Sequence, residues 1–179
     1  MRTSKIELAL LALLGPTVAF TAHAEVYMSP EQAVKLIFPG VNMTKTSTTL
    51  TDDEVKRIEK LSDENVRSKK LIMWHDSSGD VVYIDQVLGK HEFITLAVGF
   101  TGEGKIKDIE ILEYRETYGS EVRRPAWRAQ FSGKTVKNTL KLGKDIKNIS
   151  GATLSSLHIT NGVRRLAVTN EVLGERHKS

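Results

Sequence analysis

The spacing of apolar residues along the chain changes twice. Near the start, Ala33, Val34, Ile37 and Phe38 fall on one helical face, and Ser29-Pro30-Glu31-Gln32 before them supplies a capping box with proline at the first helical position. Pro39-Gly40 ends that helix. Residues 42–49 are polar and read as a loop. Thr51-Asp52-Asp53-Glu54 opens a second helix with its own capping box, with Val55, Ile58 and Leu61 on one face. The two helices are expected to form an N-terminal cover over residues 25–70.

From Leu71 the period shortens to two. Residues 71–75, 81–88, 91–100 and 106–114 read as strands joined by tight turns, which predicts an antiparallel meander. In the third of these, Ile94, Leu96, Val98 and Phe100 share a face, while Thr95, Ala97 and Gly99 leave the other face small enough for a helix or a flat ring to approach. Residues 135–142 read as a short strand and Gly143-Lys144-Asp145 as a turn. Beyond Ser156 the helical period returns and runs to about Leu173. The pattern therefore predicts an α+β fold, with the meander and C-terminal helix as one domain over residues 71–175.

The first 24 residues fit none of these periods. Arg2 and Lys5 precede the apolar run from Leu8 to Phe20, and Ala22-His23-Ala24 follows, as in a secretory signal peptide. A mature protein starting near Glu25 and lying in the periplasm is the expectation. Without residues 1–24, which hold two bases and one acid, the net charge falls from +4 to +3. Bases and acids are interspersed apart from Arg123-Arg124 and Arg164-Arg165, so nucleic-acid binding has little support. The chain has no cysteine, which excludes a disulfide, an iron–sulfur cluster and a thioether-linked haem. His75, His91, His158 and His177 lack metal-ligand spacing.

Candidate chemistry concentrates in Asn148-Ile149-Ser150-Gly151-Ala152-Thr153-Leu154-Ser155-Ser156, a small, hydroxyl-rich turn that leads into the last helix. Ser155 or Ser156 is expected to cap that helix, leaving free N–H groups and a positive dipole end facing the turn. Such an end prefers an anion, typically phosphate. The Ser-Gly-Ala-Thr-Leu-Ser-Ser run resembles the flavinylation motif of the FMN-binding domain family, which includes the small flavin subunits of the Rnf and Na+-pumping quinone reductase complexes. The resemblance implies a phosphoester between the Thr153 hydroxyl and FMN, made in trans by a flavin transferase that uses FAD as donor. It further implies that Ser150, Gly151, Ala152, Leu154 and Ser155 border the cofactor. One position departs from the family pattern: Lys147 stands where an acidic residue is usual, three places before the serine.

A second segment extends the resemblance. Residues 113–131 are rich in aromatics and bases, and they resemble the family's strand, glycine turn and short helix carrying Trp and Gln-Phe. Tyr118, Gly119 and Trp127 are the candidates for contact with the flavin ring. Packing in the core explains Tyr118 and Trp127 equally well, and Phe131, four residues after Trp127, reads as a core anchor.

Together these features predict an extracytoplasmic electron carrier with covalent FMN on Thr153, exchanging electrons with a membrane-bound or soluble redox partner. Peripheral contact with a membrane surface is a further expectation. Two readings compete with this one: a flavin-dependent reductase of a small acceptor, and a cofactor-free secreted binding module.

Overall fold

The structure is a computed structural model, and it describes residues 25–176. The signal-peptide expectation falls on residues 1–24 and lies outside the described residues, as does His177. Six antiparallel strands form one sheet in the order β1-β6-β5-β4-β3-β2. The strands are β1 (Glu25–Val26), β2 (Thr44–Thr49), β3 (Lys70–His75), β4 (Val81–Leu88), β5 (Phe93–Phe100) and β6 (Ile106–Tyr114). The fold is α+β, and β3 to β6 form the meander that the alternating pattern predicts.

Helix α1 (Pro30–Ile37) and helix α2 (Asp52–Ser62) begin where their capping boxes place them, at Ser29 and Thr51. They do not form one layer. α1 lies on the small face of the sheet with Trp74, Val82, Ala97 and Leu112. A Cβ at Gly99 would fall 2.3 Å from Ile37 Cγ2, so the small strand face serves close helix packing and is not open to a flat ring. α2 lies on the other face, where Ile58 joins the main core beneath the long helix α4 (Thr153–Arg176).

α4 closes that core with Ile159, Val163, Leu166, Ala167, Val172 and Leu173 against Val87, Ile94, Leu96, Val98 and Phe100 of the sheet. Two adjacent arginines lock it in place. Arg164 donates to the Ser62 carbonyl at 2.7 Å and pairs with Glu64 at 3.1 Å; Arg165, buried, donates to the Asn65 carbonyl at 3.0 Å and pairs with Asp85 at 2.5 Å. The Arg164-Arg165 pair is thus structural. A buried pair of this kind fixes register more than it adds stability.

Two expected segments differ. Residues 44–49 form an edge strand paired along its whole length with β3; its run of threonines suits a strand but offers no apolar alternation to read. Residues 135–142 form turns, joined to the following segment by one isolated bridge between Leu142 and Ile146. Here side chains take the backbone donors that a strand would need: Asn138 accepts from Thr135 N–H, and Asp145 accepts from Leu140 and Lys141 N–H.

Candidate functional site

The turn before α4 is built by its backbone. Ala152 N–H donates to the Ile149 carbonyl, and the Ala152 carbonyl accepts the first helical bond, from Ser156 N–H at 2.9 Å. Helix α4 therefore starts at Thr153, and the N–H groups of Thr153, Leu154 and Ser155 have no intrahelical acceptor. Ser155 and Ser156 lie inside the first turn, not at the cap. The reason is visible at Ser155: its buried hydroxyl is bonded to Tyr114 Oη at 2.8 Å. Thr153 is exposed, and its Oγ1 accepts a hydrogen bond from Asn148 Nδ2 at 2.9 Å. Ser150 and Gly151 are exposed beside it, Leu154 is 43% exposed, and Ala152 is buried as the turn's anchor.

A second turn is clamped onto this one. Tyr114, the last residue of β6, donates its hydroxyl proton to the Tyr118 carbonyl, so Ser155 must be the donor in the Tyr114–Ser155 bond. Burial pushes the Tyr114 phenol up, with Glu116 and Glu121 adding to the shift against the Ser155 bond, and so it remains a neutral donor. Gly119 sits over this pair with φ of 101°, and a Cβ there would lie 2.6 Å from Tyr114 Oη and 2.7 Å from Ser155 Oγ. Only glycine meets both demands. Tyr118 is left 83% exposed at the rim.

Glu116 ties in a third element. Its carboxylate accepts from the N–H groups of His91 at 2.6 Å and Glu92 at 3.0 Å in the β4–β5 hairpin. Burial alone would raise its pKa, but those backbone donors outweigh burial and hold the carboxyl below its ordinary value.

Trp127 sits elsewhere in this arrangement. On helix α3 (Pro125–Arg128) it is 5% exposed and packs edge-to-face on Phe131 at 5.2 Å. Its indole N–H donates to the Lys147 carbonyl at 2.8 Å, and Gln130 Oε1 accepts from Lys147 N–H at 2.8 Å. Thus Trp127 and Gln130 hold the strand of chain that leads to Thr153, and the Trp127 ring belongs to the core. Lys147 contributes its backbone to that anchor, which any residue could supply.

A cleft lies at the opposite end of α4. It has a volume of about 960 Å³ and is lined by Met73, Tyr83, Thr101, Asn170 and Leu173 among others. Asn170 is 17 residues along the helix from Thr153, roughly 25 Å at 1.5 Å per residue.

Residues 89–168 match the family model described as FMN-binding domain. This stretch is similar to that family over 80 of the chain's 179 residues. No curated protein matches the chain. The match runs from the β4–β5 hairpin through β5, β6 and α3 into α4, so it includes every residue of the Thr153 end. The far cleft is divided: its residues on β3, β4 and the end of α4 fall outside the match, while residues 101–105, 135–137 and Ala167 fall inside it.

The residues present fit the cofactor. Free N–H groups at the start of a 24-residue helix suit a phosphate, and the exposed Thr153 hydroxyl stands at the first helical position beside them. The exposed apolar surface of Tyr118 and Leu154 lies within the reach of a ring tethered there, about 10 Å. Two contributors had not been singled out from the sequence, Tyr114 and Glu116, and Asn148, which opens the candidate stretch, had been given no role of its own. Only Asn148 carries a local signal, as a turn-forming residue five places before the threonine.

Proposed function

We propose that the protein is an extracytoplasmic electron carrier whose FMN is held by a phosphoester to Thr153. What supports this is an exposed hydroxyl on the first residue of α4, among unpaired helix N–H groups, inside the stretch similar to the FMN-binding domain family. When attached, the flavin supplies reversible uptake and release of electrons. The chain's own residues supply the rest. Asn148 orients the Thr153 oxygen, the helix N–H groups receive the phosphate charge, and the Tyr114–Ser155–Gly119 clamp keeps the adjoining turn rigid. Tethering is a transfer from FAD: the Thr153 Oγ–P bond forms as the phosphoanhydride bond breaks, and AMP leaves with the hydroxyl proton. A separate flavin transferase is the catalyst of that step, as the Ser-Gly-Ala-Thr-Leu-Ser-Ser run implies. A covalent link also suits a compartment where a dissociated flavin would be lost, as the signal-peptide pattern of residues 1–24 suggests.

Intact mass of the secreted protein tests this. The expected mass is that of the chain plus one FMN less one water. Thr153→Val should fold with an unchanged melting temperature and carry no flavin, because valine offers no oxygen to phosphorus. In-gel flavin fluorescence that survives denaturation in this variant would overturn the assignment.

A further inference from the structure

The flavin reading leaves the cleft at the Arg176 end of α4 unused. Its volume of about 960 Å³ lies within the range of small-ligand sites. The floor is apolar, made by Met73 on β3, Val81 and Tyr83 on β4, and Ala167 and Leu173 on α4. β3 and β4 are each paired on both sides, so no strand edge is open there for a peptide to extend the sheet. Asn170 in the helical wall stands roughly 25 Å along α4 from Thr153, and a ring tethered at Thr153 reaches about 10 Å. The occupant of the cleft is therefore not the flavin.

Polar groups of the wall lack partners. Ala167, Asn170 and Gly174, at i, i+3 and i+7, share the face of α4 that lines the cleft. The Tyr83 hydroxyl, kept neutral by burial, donates to Asn170 Oδ1 at 3.1 Å, and the Asn170 amide N–H groups meet no acceptor among the described residues. Thr101, in the wall that follows β5, has a buried hydroxyl with no partner. Gly174 is a second anomaly. Glycine weakens a helix, and at Gly162 packing explains it, since a Cβ there would fall 2.4 Å from Val87 Cγ1. At Gly174 a Cβ would meet nothing within 4 Å, so no contact of the fold accounts for it, and its effect is to leave the cleft's mouth wide.

The charged side chains of the rim offset one another. Arg176 pairs with Glu54, Glu175 with Arg57 and Lys105 with Glu103. Asp76 accepts from the N–H groups of Ser78 and Asp80, and Lys137 and Glu171 are exposed with opposite signs. No excess of either sign invites an ion.

We propose that the cleft is a second ligand site, which binds a small uncharged organic molecule whose apolar body lies on the floor made by Met73, Tyr83 and Leu173 and whose carbonyl-type oxygen accepts from Asn170 Nδ2. Burial of the apolar body supplies most of the affinity, and the amide fixes the orientation. The site is independent of the tether and stands whether or not Thr153 carries FMN.

The test titrates the secreted, oxidised protein with prodan, an uncharged naphthyl ketone, and follows amide NMR. Prodan should shift residues of the cleft, within 73–83, 101–105 and 167–174, and leave 114–119 and 153–158 in place. Anionic anilinonaphthalene sulfonate and cationic N-methylquinolinium should each bind about tenfold more weakly, because an ion would lose its water in the cleft without gaining a partner. Asn170→Asp keeps an acceptor for the Tyr83 hydroxyl and removes the amide donors, so prodan affinity should fall about fivefold. Gly174→Leu should melt no lower than the parent, since leucine favours the helix, and should weaken prodan about tenfold by filling the mouth. Shifts confined to the Thr153 end, or spread over the surface without a saturating set at the cleft, would overturn the proposal. So would tighter binding of either ion, or a parent-like prodan affinity in both variants.

Discussion

The two ends of α4 make opposite offers to a ligand. At the Thr153 end there is little enclosure, but an exposed hydroxyl, free N–H groups and an exposed tyrosine converge there. At the Arg176 end there is a cleft of about 960 Å³, yet α4 finishes in ion pairs with its neighbours, Arg176 with Glu54 and Glu175 with Arg57. Shape alone would choose the second end, and chemistry chooses the first. The family match covers the whole of the first and part of the second. The proposed covalent tether would let an exposed site suffice. It turns ring docking into an intramolecular event at an effective concentration of the order of millimolar, so the surface need not enclose the ligand to retain it.

Gly119→Val breaks this contrast most severely. A side chain there is strained by φ of 101° and collides with Tyr114 Oη and Ser155 Oγ. A loss of about 3 kcal/mol is expected in denaturant melts. The damage should be local to the start of α4. Hydrogen exchange should quicken at residues 153–160 and stay near the parent rate at residues 165–173, which Arg165 and the far-end ion pairs hold separately. Trp127→Leu should cost about 2 kcal/mol, because it removes a buried ring and leaves the Lys147 carbonyl without its donor. If Trp127 is the core anchor its burial indicates, the flavin spectrum of that variant will match the parent. A spectral shift would place the indole against the ring.

Much of this scaffold was legible in the sequence where local chemistry and long-range packing agree. Ser29 and Thr51 start helices because their side chains and the Gln32 and Glu54 side chains satisfy the first backbone donors reciprocally, a purely local device. The strands of the meander alternate because each buries one face under α4. β2 was hidden because an edge strand such as Thr44–Thr49 needs no apolar face of its own once β3 supplies the pairing. Residues 135–142 deceived in the opposite direction, since Val136, Leu140 and Leu142 imitate alternation while Asn138 and Asp145 turn the backbone. At the site, the motif residues and Gly119 could be read from one stretch each. The Tyr114–Ser155 bond spans 41 positions and the Glu116–His91 bond 25, and no local pattern encodes either.

Glu116→Gln tests whether the β4–β5 hairpin belongs to the site end, with a smaller effect. The carboxyl's pKa is lowered on folding from an ordinary 4.5, so its charge stabilises the fold above that value, and the contribution is lost as pH falls through the folded pKa. At pH 7 the variant should be less stable by about 1 kcal/mol, the share of the hydrogen bonds that depends on charge. The difference should shrink below pH 4.5 and vanish once both chains carry a neutral group. A difference that persists into acid would mean that glutamine disturbs the hairpin by shape.

Tyr118→Leu should change stability least and decide most about the ring. At 83% exposure the side chain has almost no burial to lose, so the melting temperature should stay within a degree or two of the parent. Its backbone carbonyl still receives the Tyr114 hydroxyl, and Gly119 keeps its turn, so the tether geometry at Thr153 is preserved and covalent yield should be unchanged. What leucine removes is an aromatic face at the rim of a shallow site. A flavin held against Tyr118 would be quenched by stacking, and its fluorescence should therefore rise severalfold in the variant while its potential shifts. Trp127→Leu is the internal control, because that ring is turned into the core against Phe131 and its loss should appear in the melt alone. Unchanged fluorescence in Tyr118→Leu would leave Leu154 and the β4–β5 hairpin as the surface on which the ring rests, and would move the partner-facing edge of the flavin toward the hairpin.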